Sequence, residues 1–193
     1  MKTSDQAIIQ IPGYTLRSLR LSDAKTLSEF SEDERYWQFL ADGALGPAQA
    51  HVFVSDAVSA SMRKDSGDMW WAIEEQSTQK FVGMASLKRN GKVEHRNYSV
   101  GCAFAPHAQG QGLGTSLGWA LISYAFESVN AHRVECSCSI DNDSSVHIMK
   151  NIFGMTYEGV RREHRLTSRG WWSSHVFSIL EDEFAAKSQS KNA

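Results

Sequence analysis

The segment Ala105-Pro-His-Ala-Gln-Gly-Gln-Gly-Leu-Gly-Thr115 is where this sequence concentrates its chemistry. An apolar run ends before it, Gly110, Gly112 and Gly114 alternate within it, and a helical apolar pattern follows. Glycine lets backbone amides come close to a ligand, and a helix N-terminus adds unpaired N–H donors and a favourable dipole. Together they describe a cradle for a phosphate or pyrophosphate. A nucleotide P-loop would need Gly-Lys-Ser/Thr, and here Gly114-Thr115 has no lysine. A dinucleotide fingerprint would need its third glycine three residues after the second, not two. A plain tight turn would explain Gly110 and Gly112, but at a cost in backbone entropy with no packing return, so the anion site is favoured.

A second constellation is Ile140-Asp-Asn-Asp-Ser-Ser145, between an alternating strand pattern and a helix. Asn142 suits an N-cap with Ser145 at the third helical position, and a capping side chain can also face a ligand. Three groups could act as a general base: Glu135, Glu163 and His164. An exposed strand residue is the simpler account of each. Near Ser31–Trp37, acids sit beside Tyr36 and Trp37 and could attract a cationic amine, although a charged run is usually a solvated face. Trp70/Trp71 and Trp171/Trp172 are adjacent pairs on strands, so one of each faces the core and the other a cleft or interface.

The elements that must position these residues can be read from periodicity. Tyr14–Leu21 reads as a strand, and Ser22 caps a helix over roughly Asp23–Leu40. Pro47 opens a second helix that runs to about Lys64. Met69–Glu75 and Phe81–Arg89 read as a hairpin, and Asn90-Gly91 as a turn. Tyr98–Ala105 is a strand stopped by Pro106. The helix from about Gly112 to Ser128 is apolar nearly all round and should be buried against a sheet. Arg133–Ser139 alternates as a strand, Asp141/Asn142 starts a helix to about Ile152, and strands near Met155–Leu166 and Trp171–Leu180 close the order. Seven strands interleaved with four helices describe a mixed α/β domain around one sheet.

The chain has 193 residues, 41% hydrophobic and 22% charged, with formal net charge −2. That suits one soluble domain over 1–193, with its core at about 14–181 and a polar tail at 185–193. No basic run marks a nucleic-acid binder, and no apolar stretch approaches the ~20 residues that span a bilayer. The start lacks the charged-then-apolar order of a secretory signal. Cys102, Cys136 and Cys138 read as reduced structural thiols, which suits the cytoplasm, and nothing completes a metal site around them.

Gln109-Gly-Gln-Gly-Leu-Gly114 resembles the Gln/Arg-x-x-Gly-x-Gly/Ala motif of the GCN5-related N-acetyltransferase (GNAT) superfamily. Asn142-x-x-Ser145, a helix and then Gly154-Met-Thr-Tyr-Glu-Gly159 resemble the subgroup of ribosomal-protein alanine N-acetyltransferases. The resemblance runs from about Tyr14 to Leu180. It implies a mostly antiparallel twisted sheet splayed between its fourth and fifth strands, with acetyl-CoA as co-substrate. It further implies that the amides of Gln109, Gly110, Gln111, Gly112, Leu113, Gly114 and Thr115 hold the coenzyme pyrophosphate, and that the strand through Phe104 and Ala105 pairs with the pantetheine. Asn142 would bond the pantetheine, and Ser145 would serve as general acid near the sulfur. Glu163 or His164 falls near the family's base, and Trp37, Glu163 and Trp172 would lie on the acceptor side. Departures are His147 where the subgroup often has Arg, Ser99 for a strand Glu, Ser173 or Ser174 for an Asp, and a Ser-to-Gly spacing one residue longer.

The resemblance implies direct transfer of acetyl to an amine, with a protein N-terminus as acceptor. A small amine, such as a polyamine, amino acid or antibiotic, is the alternative. A non-catalytic acetyl-CoA sensor or a nucleotide-binding module are rivals of other classes. Exposed aromatic strands leave a homodimer open.

Overall fold

The computed structural model describes residues 6–41, 43–63 and 65–191. The expected helix end at Lys64 and the last two tail residues lie outside the described residues. Strands β1 (Ile9–Ile11), β2 (Tyr14–Ser18), β3 (Met69–Glu75), β4 (Phe81–Arg89), β5 (Asn97–Phe104), β6 (Arg133–Ser139), β7 (Thr156–Thr167) and β8 (Gly170–Leu180) form one sheet, ordered β1-β2-β3-β4-β5-β6-β8-β7. Every neighbouring pair is antiparallel except β5 with β6. Those two share register only from Asn97↔Arg133 to Val100↔Cys136. Beyond it, β5 stays paired with β4 as far as Phe104, and β6 with β8 as far as Ser139. The sheet therefore opens as a V, at the place expected between the fourth and fifth strands of a seven-strand count.

Helices cover both faces. Helix α4 (Leu113–Glu127) lies on one face, where Leu117, Leu121 and Ile122 join Trp71, Leu87, Val134 and Phe177 in a common core. Each fully buried side chain of this size contributes about 1.5–3 kcal/mol. Helices α1 (Asp23–Ser31) and α3 (Pro47–Met62) cover the other face through Leu27, Val54, Ala72 and Met84. The first tryptophan pair uses both faces for packing. Trp71 meets Tyr124 of α4 edge-on at 5.5 Å, and Trp70 meets Phe53 of α3 at 5.4 Å. The second pair behaves differently, with Trp171 62% exposed and Trp172 half-buried.

Four expectations need correction. The helix expected over Asp23–Leu40 is two: α1 ends at Ser31, and α2 spans Glu34–Trp37. Asp33 breaks it by turning extended and accepting from the Arg35 N–H, a local side-chain bond that competes with helix continuity. The helix from Asn142 is α5 (Asp143–His147), followed by a wider π turn over Ile148–Ile152. A strand was missed at Ile9–Ile11, too short for periodicity to register. Most of the expected polar tail is helix α6 (Glu181–Lys191), whose acidic first turn suits the helix dipole. It is pinned by one apolar residue, Phe184, stacked on Phe126 at 4.6 Å.

Gly118 shows how tightly α4 is seated. A Cβ there would lie 2.3 Å from the Phe153 ring, which closes the turn after α5. Helix propensity alone would make Gly118→Ala stabilising by about 1 kcal/mol. Overpacking against Phe153 reverses the sign, so urea unfolding should show a loss of about 1–3 kcal/mol. The added change Phe153→Leu should recover part of that loss.

Candidate active site

The V between β5 and β6 opens into a cleft of about 490 Å³. One wall is the end of β5, from Val100 to Phe104, and the other is β6 at Cys136 and Ser137. The glycine loop forms one end. Ala105 donates its N–H to Val82, a single turn over Pro106–Ala108 follows, and Gly110 and Gly112 take φ of 72° and 78°. Those angles favour glycine, and a Cβ at either position would touch nothing within 4 Å. The glycines therefore serve backbone conformation and an open face rather than packing. Gly112 caps α4, accepting from the N–H groups of Thr115 and Ser116 at 3.1 Å. Gln109, Gly110, Gly112, Gly114 and Thr115 all line the cleft. Gln111 instead bonds its amide to the His107 carbonyl at 2.7 Å. Leu113 is buried in the core, and Ala105 is fully buried at the loop's base.

Across the cleft stand Asn142 and Ser145. Asn142 caps α5, its Oδ1 accepting from the Ser145 N–H at 3.0 Å, so the capping role is present. Its Nδ2 and the Ser145 hydroxyl bond no protein group among the described residues, and both remain available to a ligand.

The candidate bases do not converge on this cleft. Glu135 points to the face opposite Cys136 and accepts from Arg133 at 3.2 Å and from Arg161. Arg133 also holds Glu158, whose carboxyl this hydrogen bonding pulls below its ordinary range. With two guanidiniums on one carboxylate, Glu135 is an ion-pair node rather than a free base. Glu163 sits in a bulge of β7 with φ of 45°, exposed, its N–H donating to the Ser173 hydroxyl. The bulge turns the neighbouring His164 onto Ser174, with Nε2 3.1 Å from its Oγ. Ser174 is buried and pairs across from Ser139 at the wide end of the V. Trp37 and Trp172 lie outside the cleft lining, and each is stacked by Arg169, at 5.0 and 5.1 Å.

Sequence reasoning missed a third wall. Arg35, Tyr36, Phe39 and Leu40, on and just after α2, close the cleft above the loop. Within the run Ser31–Trp37, Tyr36 rather than Trp37 lines the cleft. Burial pushes the Tyr36 hydroxyl well above its ordinary pKa, so it stays protonated. Cys102 is exposed along the cleft it lines, yet its thiol is desolvated by the protein packed around it. That desolvation lifts its thiol to about 11, and burial lifts Cys136 to about 12 and Cys138 to about 11. None is a thiolate at neutral pH. Among the described residues no His/Cys/Asp/Glu group could hold a metal, and no helix is long and apolar enough to cross a membrane.

Comparison with known proteins agrees with this geometry. Residues 14–156 match the family described as "Acetyltransferase (GNAT) domain". The uncharacterized N-acetyltransferase YnaD of Bacillus subtilis is 25% identical over 169 residues, covering 88% of this chain and 94% of that one. The structure of the ribosomal L7/L12 alpha-N-protein acetyltransferase RimL, in complex with coenzyme A, superposes with TM-score 0.77 at 17% identity. The match covers 92% of this chain and 99% of RimL. The ribosomal-protein-S5-alanine acetyltransferase of Vibrio fischeri gives TM-score 0.74 at 17% identity, over 92% and 98%. An open mixed sheet, a glycine loop at the head of α4 and a family match over most of its length lead to one assignment: this chain belongs to the GNAT acetyltransferase family and is an acyltransferase.

Proposed function

We propose that the protein binds acetyl-CoA in the V and transfers its acetyl group directly to a primary amine, most naturally the N-terminal amine of a protein or peptide. The observation that carries this reading is the V itself. Backbone on the inner edges of β5 and β6 is left without a strand partner, between a glycine loop at one end and Asn142 with Ser145 at the other. The open loop at Gly110 and Gly112 suits a pyrophosphate against the α4 N-terminus. Arg35 adds a cation at the rim. It is now bonded to Asp33 in an exposed pair, which is worth little and is readily exchanged for phosphate.

Acetyl-CoA supplies an activated acyl carbon. The amine nitrogen forms the new bond to that carbon, the carbon–sulfur bond breaks, one amine proton leaves and the departing sulfur gains one. Asn142 orients the pantetheine through its free amide group. Ser145 donates the proton that the sulfur needs. His164, held by Ser174 at 3.1 Å and open to solvent, takes the amine proton through water. An α-amine, with a pKa near ~8 against ~10.4 for lysine, asks less of so modest a base. This supports an N-terminal acceptor, as does the fold shared with two proteins named for acetylating ribosomal proteins. The cytoplasm is the compartment this reading implies.

Calorimetric titration with acetyl-CoA should give micromolar binding to the native protein and none to Gly112→Trp, whose indole would fill the loop. Native protein that does not bind acetyl-CoA would overturn the reading. Transfer assays on alanine-started peptides, lysine side chains and polyamines would then rank acceptors, and a polyamine preference would select the small-amine alternative. Ser145→Ala should cut kcat by roughly 10²-fold while leaving acetyl-CoA affinity in place. A Ser145→Ala enzyme with native kcat would remove that residue from the proton path.

The raised thiol pKa values argue against an acetyl-cysteine intermediate. Iodoacetamide should alkylate Cys102 slowly at pH 7.5, and the rate should climb as pH rises toward about 11. Fast labelling at pH 7.5 would indicate a thiolate, and with it a two-step route through cysteine.

A further inference from the structure

Helix α2 is held from both ends of the site. On the loop side, Gln109 donates its side-chain amide to the Arg35 carbonyl at 3.0 Å while also bonding the Phe104 carbonyl at 3.2 Å. On the far side, Arg169 reaches across from the β7–β8 turn. Its guanidinium donates to the carbonyl of Gln38 at 3.1 Å and to that of Leu40, which also accepts from the Gly43 N–H, in the stretch that follows α2. Its central carbon lies over the ring of Trp37 of α2 at 5.0 Å and over that of Trp172 of β8 at 5.1 Å. A cation at a helix C-terminus and a guanidinium between two indoles are both favourable, and together they make a lock specific to arginine. A four-residue helix has too few internal hydrogen bonds to hold itself, so these outside contacts decide where it sits.

We propose that Arg169 is a positioning residue for the amine acceptor, and that α2 is the wall through which coenzyme-loop occupancy is felt at the acceptor side. This rests on the acetyl-transfer reading above. Gln109 links α2 to the segment that would hold pyrophosphate, and Arg169 links it to the hairpin bearing Ser174 and His164. Tyr36, Phe39 and Leu40 then present one fixed surface to whatever enters the V. An acceptor meets a formed wall only when both ties are made.

The test uses the full chain as native protein, Arg169→Gln and Arg169→Lys. Amide hydrogen exchange of residues 34–40 is followed with and without acetyl-CoA, and initial rates are measured with acetyl-CoA and a synthetic peptide beginning with alanine. Acetyl-CoA should slow exchange in this segment of the native protein. In Arg169→Gln the same amides should exchange roughly tenfold faster, and the peptide KM should rise roughly tenfold, with kcat and acetyl-CoA Kd near native. Lysine keeps the charge but cannot stack as a plane, so Arg169→Lys should fall between the two. Native exchange and native KM in Arg169→Gln would overturn the proposal. So would parallel losses of acetyl-CoA affinity in both variants, which would make Arg169 a general strut. A native protein that acetylates no peptide defeats the acceptor reading, while the exchange result still decides whether the lock exists.

Discussion

Strands β5 and β6 share backbone hydrogen bonds for only a short stretch, because each stays with its outer neighbour as the two halves of the sheet diverge. The β4 ladder carries β5 to Phe104, and the β8 ladder carries β6 to Ser139. Helix α4 and the turn closed by Phe153 fill one side of the divergence, with Gly118 permitting their close approach. Unpaired N–H and C=O groups on the inner edges are costly to bury, and they stay affordable here because the V opens to solvent and to a ligand. The cleft, the loop at its end and the reach of α5 toward its far wall all follow from this one interruption of the sheet.

What the V presents is chemically restrained. Its thiols are protonated, its carboxylate neighbour Glu135 is bound by two arginines, and the polar groups it offers a ligand include Asn142, Ser145, backbone and, at the rim, Arg35. Such a site is suited to hold a reagent that is already activated and to move single protons around it. Serine hydroxyls on the sheet face opposite α4 continue the pattern, with Ser139 and Ser174 buried side by side across β6 and β8. The distortion at Glu163 is the local strain that brings His164 to Ser174.

The hairpin of β7 and β8 also has a mechanical part. Its turn carries Arg169 to α2, so strands at the sheet's end help to hold a wall that begins in the first third of the chain. The glycine loop reaches the same helix through Gln109. Residues distant in sequence thereby share one short element, and the two halves of the site cannot be arranged independently.

Much of this was legible in the residues alone. Alternating and helical apolar periods marked seven of the eight strands and the main helices, since burial on one face leaves a period in the chain. The spacing Gln109-Gly110-Gln111-Gly112-Leu113-Gly114 marked the loop, because only glycine adopts its backbone without strain. Asn142 with Ser145 marked both a cap and a place in the cleft. The rest was set by tertiary structure. Whether Glu135 is free depends on Arg161 arriving from another strand, and whether His164 meets Ser174 depends on a bulge with no local signature. Phe184 alone gives no period, and Arg169 reads as an ordinary turn residue until two tryptophans close around it. Sequence determines patterns that repeat along the chain, whereas ion pairs, bulges and stacked cations depend on which distant strands come to lie together.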